Sequence, residues 1–160
     1  MRRTVPLLLA AALCFACKST TRIPPQWVSG EVRVPSERVL FEVSAMALEQ
    51  HGFELGSDFD PAALEAVSGW KHDLAPFRGQ GWRERVHLKY RPQGEGAYQV
   101  EARIETQVNM DHVRPLDLRY AKWEPAEDDL EEAEILLERI RAYVGGEIEL
   151  SPERPLPWEG

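Results

Sequence analysis

The 160-residue chain predicts an α+β fold: a two-layer sandwich in which an antiparallel sheet of about four to five strands carries two helices on one face. Three observations predict it. Trp82–Arg91 and Tyr98–Val108 each alternate apolar and polar residues, the pattern of strands with one dry and one wet face. Two other stretches, 36–50 and 126–144, repeat apolar residues at helical spacing. The composition, 43% hydrophobic and 29% charged, is that of a globular domain long enough to bury a core without disulfide staples.

The chain opens with a short basic segment, Arg2 and Arg3, followed by an apolar run from Val5 to Ala16. A helix needs roughly 20 apolar residues to cross a bilayer, so this run is too short for an ordinary span. It stops at Ala16-Cys17, and Lys18-Ser19-Thr20-Thr21 is polar. Here the sequence resembles the bacterial lipoprotein signal, in which a small residue precedes an acylated cysteine; Cys14 stands where that signal usually has an aliphatic residue. The resemblance implies cleavage after Ala16 and attachment of palmitate-type acyl chains to Cys17, which hold the protein to a membrane on its periplasmic side. Lys18, where an inner-membrane retention aspartate would stand, favours the outer membrane. The competing reading is an ordinary secretory signal cleaved near the same place. Loss of Arg2 and Arg3 on processing moves the net charge from −8 to −10.

Behind this signal peptide (1–16), residues 17–26 form a lipidated tether with Pro24-Pro25 near its end. The domain proper runs from 27 to 145. Trp27–Val34 suggests a first strand, stopped by Pro35, and Ser36 is a helix N-cap ahead of Val39, Leu40, Val43, Met46 and Ala47. Gly52 suits the left-handed position after that helix. Phe53-Glu54-Leu55 restarts as a strand. Residues 58–73 read two ways: Asp60-Pro61 as a helix start, Leu64–Leu74 as a strand. The hairpin follows, with Pro92-Gln93-Gly94-Glu95-Gly96 as its turn. Residues 109–125 are loop-rich, with a short strand suggested at Leu118–Trp123. The last helix, Ala126–Val144, has Leu130, Ala133, Leu137, Ile140 and Val144 as its apolar stripe, widened by Leu136 and Tyr143, and acidic residues in its first turns. A proline-rich tail occupies 146–160. This element order is similar to that of helix-grip domains in envelope lipoproteins, such as accessory lipoprotein C of the outer-membrane barrel assembly machinery, a fold-level likeness without a diagnostic motif.

Function is read mostly by elimination. The acidity argues against a nucleic-acid partner, since duplex binding depends on neutralising phosphates. Both cysteines, Cys14 and Cys17, lie in the opening stretch, so the domain has no thiol for a zinc site or a nucleophile. His51, His72, His87 and His112 lack metal-ligand spacing, and neither metal nor cofactor is expected. Ser68-Gly69 lacks the context of a nucleophile elbow, and Gly79-Gln80-Gly81 that of a phosphate loop. The wet face of the hairpin carries Arg83, Arg85, His87, Lys89 and Arg91, a candidate surface for an anionic partner. Glu101 and Glu105 on the matching face of the next strand offer the plainer reading of cross-strand ion pairs. Trp70 and Trp82 are expected in or beside the core. Trp27 and Trp123 lie near element ends, where they cap the core or meet a partner, and Arg154–Trp158 reads as a docking peptide or a disordered end. The expectation is a non-catalytic, membrane-anchored scaffold or accessory subunit with an envelope protein as partner. The alternative is a carrier of a lipid or other apolar ligand in a cleft between sheet and helices.

Overall fold

A computed structural model describes residues 23–74 and 79–145. The leader, Cys17 and the tail with its Arg154–Trp158 segment lie outside the described residues. In chain order the elements are β1 (Val28–Arg33), α1 (Glu37–Gln50), β2 (Leu55–Asp60), β3 (Glu65–Ser68), β4 (Lys71–Asp73), β5 (Trp82–Gly94), β6 (Ala97–Asn109), β7 (Trp123–Pro125) and α2 (Leu130–Val144). The strands form one antiparallel sheet in the order β1-β6-β5-β3-β2, with β4 alongside β5 and β7 alongside β6. Both helices pack on one face, so the expected α+β sandwich is present, with a broader sheet.

The alternation in β5 and β6 sorts the layers. Val86, Leu88 and Tyr90 of β5 and Val100, Ala102 and Ile104 of β6 are buried, as are Val32 of β1 and Ala66 of β3. Against them lie Leu40, Phe41, Val43, Ala47 and Leu48 of α1 and Ala133, Leu136, Leu137, Ile140 and Tyr143 of α2. The Phe41 and Tyr90 rings stand 4.7 Å apart, pinning α1 to the centre of the sheet. Each such side chain removed from water contributes on the order of 1.5–3 kcal/mol.

Local chemistry sets the helix ends. The Ser36 hydroxyl accepts the Val39 N–H at 3.3 Å, satisfying a donor that the first turn leaves free. Beyond His51, Gly52 takes φ +76° and turns the chain back towards β2. The second helix starts at Leu130, four residues later than the apolar spacing predicts. Residues 126–129 instead continue along β6, where Ala126 N–H donates to Thr106 O and Asp129 N–H to Ile104 O, and the Asp129 carboxylate then caps Glu132 N–H at 2.9 Å. Leu130 is consequently exposed, and Leu136 and Tyr143 move to the centre of the buried stripe.

Residues 58–73 combine both readings. Asp60 caps a single 3-10 turn, Pro61–Ala63, and β3 and β4 follow. The strand expected at Phe53 begins at Leu55. At 118–123 a 3-10 turn, Leu118–Tyr120, takes the place of the suggested strand, and only Trp123–Pro125 pairs with β6. The hairpin turn is shorter than expected. Pro92, Gln93 and Gly94 belong to β5, where a register shift between Pro92 and Gly94 absorbs the proline's missing donor. Only Glu95 and Gly96 turn, at φ +26° and +74°. Gly96 also accepts the Val34 N–H at 2.8 Å, and a Cβ there would stand 2.5 Å from Val34 O.

Glu95 thus holds a left-handed position, which the short polar side chain of asparagine tolerates better. Glu95→Asn is expected to raise unfolding stability by about 0.5 kcal/mol in urea titrations, with an unchanged denaturant slope.

Candidate functional site

The helices cover one face of the sheet and leave the other without a covering helix among the described residues. The parity of β5 puts Arg83, Arg85, His87, Lys89 and Arg91 on this outer face, as its sequence predicts. Around them gather Trp27 ahead of β1, Trp70 between β3 and β4, and Trp123 at the start of β7. Trp70 is therefore not a core residue: it lies partly exposed beneath two guanidinium groups.

The centre of the face is an alternation of arginine and aromatic ring. The Arg83 guanidinium lies 4.1 Å from the centre of the Trp70 ring and 4.8 Å from that of Trp123. Arg85 shares Trp70 at 4.5 Å, and the His72 ring leans on Trp123 at 5.8 Å. Further along, Lys89 Nζ stands 5.1 Å from the Trp27 ring, whose edge meets His87. A guanidinium over an indole is attracted by the negative face of the ring and is weakly hydrated, so it tolerates the partial burial found here.

Cross-strand pairs lock most of the charges. Glu105 accepts from Arg85 Nε at 2.8 Å and lies 2.9 Å from His87 Nε2. Lys89 pairs with Glu65 at 3.4 Å, and Arg91 reaches diagonally to Glu101 at 2.9 Å. Arg103 holds the buried carboxylate of Asp128, which also receives the Gln26 N–H. Arg83 is the exception. It donates twice to the Gln107 side-chain oxygen, at 2.9 and 2.7 Å, and among the described residues no carboxylate pairs with it. Desolvation and the neighbouring Arg85 lower its pKa.

The titration properties follow from this packing. Burial lowers the His87 pKa from its ordinary 6.5, outweighing the hydrogen bond to Glu105, so the ring is neutral at pH 7. Burial pushes the Glu105 carboxyl up, but hydrogen bonds from Arg85 and His87 prevail and hold it below the usual range. The face is thus an ionised carboxylate, a neutral imidazole and several guanidinium groups fixed on rings. It can receive an anionic or planar group, and Arg83 has charge left to offer.

A second polar group closes the end of the helix–sheet interface. Glu84 is buried on the inner side, where Thr106 Oγ1 donates to it at 3.5 Å. Burial, then the nearby Asp129, raises its pKa. Beside it His51 Nδ1 bonds Glu132 at 2.8 Å, and Lys71 Nζ donates to His51 O while lying over the Phe53 ring. A depression of about 370 Å³ nearby, lined by Glu49, Gly52, Phe53, Glu54 and Leu55, opens to solvent and touches neither Glu84 nor His51. Ser68 is committed to structure: its hydroxyl donates to Gly69 O and accepts the Val86 N–H. His112 is exposed, and among the described residues no three His, Cys, Asp or Glu side chains gather as metal ligands would.

The sequence places the five basic residues correctly and their glutamate partners nearly so. It does not reveal the tryptophans, because Trp27, Trp70 and Trp123 lie outside the alternating stretches whose parity assigns a face. Two outcomes test the arrangement. Arg83→Ala should cost about 1–2 kcal/mol in urea unfolding and shift the tryptophan emission, since it removes two ring contacts and two hydrogen bonds. Because folding depresses the His87 pKa, the unfolded chain takes up that proton first, and stability falls as the pH drops below about 6.5, with Glu105 adding to the loss below about 4.5. His87→Gln should flatten the first stage of a pH-dependent unfolding series and leave the second.

No family model matches this chain and no curated protein matches it, so the chemistry of the face itself carries the functional reading.

Proposed function

We propose that this chain is a lipoprotein of a diderm bacterial envelope, held by acyl chains on Cys17 to the periplasmic side of a membrane, the outer one in preference to the inner. Its domain is a non-catalytic scaffold or accessory subunit that docks an anionic envelope component, a protein in the first instance, on the outer face of the sheet. One observation carries the docking surface: Arg83 lies against Trp70 and Trp123, partly desolvated and without a carboxylate partner among the described residues, on a face that neither helix covers. Preorganised arginine and tryptophan are the residue types that dominate binding energy at interfaces, because little entropy remains to be lost when the partner arrives. The scaffold reading is further supported over the carrier reading by the filled interface between the layers, where Phe41, Leu40, Leu48, Ile140 and Tyr143 meet the sheet, and by the open form of the depression near Phe53.

A photoreactive amino acid placed at Arg91 in intact cells should yield one dominant cross-linked envelope product, absent from a control placed at Glu138 on α2. Arg83→Ala should weaken that product several-fold. Equal products from both positions, or none from Arg91, would overturn the assignment of this face.

A further inference from the structure

The loop between β6 and β7 is unlike an ordinary surface loop. Val113 is 85% exposed, Leu116 54%, Leu118 49% and Tyr120 42%, so most of the exposed large apolar side chains among the described residues fall within eight positions. They are held outward by design of the backbone. Asn109, itself buried, accepts the Asp111 and Lys122 N–H groups on its side-chain oxygen and donates to Pro115 O. Asp111, also buried, accepts the Val113 and Arg114 N–H groups at 3.0 and 2.8 Å, and Asp117 caps the turn that follows. Met110 N–H donates to Lys122 O at 2.8 Å and ties both ends of the loop together, with the apolar side chains on its solvent side. Arg114 lies 3.3 Å from the centre of the Tyr120 ring, and two further cations stand exposed at the rim, Arg119 paired with Asp117 at 2.8 Å and Lys122 with Asp111 at 3.7 Å.

The place of this loop is as informative as its composition. β1 runs from Val28, opposite Ala102, to Arg33, opposite Ala97, so the chain ahead of it arrives from the end of the sheet at which β6 finishes and the loop begins. Gln26 confirms the side of entry: its N–H bonds Asp128, just beyond β7. The nine residues from Lys18 to Gln26 reach about 30 Å when extended, and the loop starts where β6 ends, seven residues or about 24 Å along the strand from Ala102, the partner of Val28. The chain therefore enters the domain at the pole that carries the apolar loop, and an anchor on Cys17 would be within reach of a bilayer that the loop touches.

We infer that residues 110–122 form a second membrane contact, in which Val113, Leu116, Leu118 and Tyr120 enter the interfacial layer of the bilayer that holds the acyl chains of Cys17. This rests on the reading of Cys17 as acylated. Apolar side chains flanked by tyrosine and arginine suit that layer, where the rings and aliphatic stems are buried and the charged ends meet lipid phosphates. The acidity of the remaining domain opposes this little, since charges more than about 8–10 Å away are screened at physiological salt. Seated this way, the domain points the Glu95 turn away from the bilayer and keeps the outer sheet face free at its side.

The test uses the full-length lipoprotein, purified from membranes and reconstituted into vesicles of phosphatidylethanolamine with a minority of phosphatidylglycerol. A fluorophore on Leu116→Cys, and separately on Val113→Cys, should be quenched by doxyl-labelled lipids at least several-fold more than one on Glu95→Cys, and Leu118→Asp should reduce that quenching. Intact mass of the same preparation reads the acylation. An acylated protein whose loop label escapes the doxyl lipids overturns the inference alone; shielding from aqueous iodide without lipid quenching does so too, by showing a second copy over the loop. A chain without acyl groups overturns the lipoprotein reading and the inference together.

Discussion

The long antiparallel pairing of β5 with β6 is the constraint on which the remaining structure depends. Residues from Trp82 to Gly94 face those from Val108 back to Ala97, closed by a turn of two residues, and the parity of that register decides which side of the molecule is dry. Each strand contributes three consecutive inward apolar residues, enough to seat both helices. A slip of one residue would send Arg83, Arg85 and His87 into the core and Val86, Leu88 and Tyr90 into water. The turn, the bulge at Gln93 and the hydrogen bond from Val34 to Gly96 all act against such a slip. Every other element then takes its position from an edge of this ribbon: β1 and β7 on the β6 side, β3 and β4 on the β5 side.

The same parity produces the chemistry of the outer face. Basic residues of β5 and acidic residues of β6 are brought opposite one another, and exposed pairs of that kind contribute little stability each. What distinguishes this face is the aromatic layer laid over them. By excluding water from one side of Arg83 and Arg85, Trp70 and Trp123 turn two flexible cations into fixed, partly desolvated ones. The inner face shows the reverse situation. The Tyr143 hydroxyl is buried without a hydrogen-bond partner among the described residues, and Thr106 reaches Glu84 only at 3.5 Å, so polar groups there are held by the packing around them.

The domain is also polar from end to end. One pole is the tight turn at Glu95, small and hydrophilic. The other gathers the entry of the chain, the buried Asn109 and Asp111, and a loop that displays four large apolar side chains. Buried side-chain acceptors at 109 and 111 take the place of secondary structure in fixing that loop, and a fixed loop can keep apolar groups in contact with solvent where a mobile one would fold them away.

How much of this was legible in the sequence follows from the range of the forces involved. Periodicity is a local property, and it determined the α+β class, the hairpin, the first helix with its Ser36 cap, and the face on which Arg83, Arg85, His87, Lys89 and Arg91 stand. Where a segment's fate rests on a distant partner, local pattern is silent. Residues 126–129 read as helix and are strand-like because Thr106 and Ile104 offer carbonyls to them. Trp70, expected in or beside the core, lies partly exposed on the outer face because the β3–β4 connection carries it beneath Arg83. The arginine–tryptophan face and the shared pole of chain entry and loop exist only once chain segments tens of residues apart are brought together, and that was decided by strand order and register, which no short stretch of sequence contains.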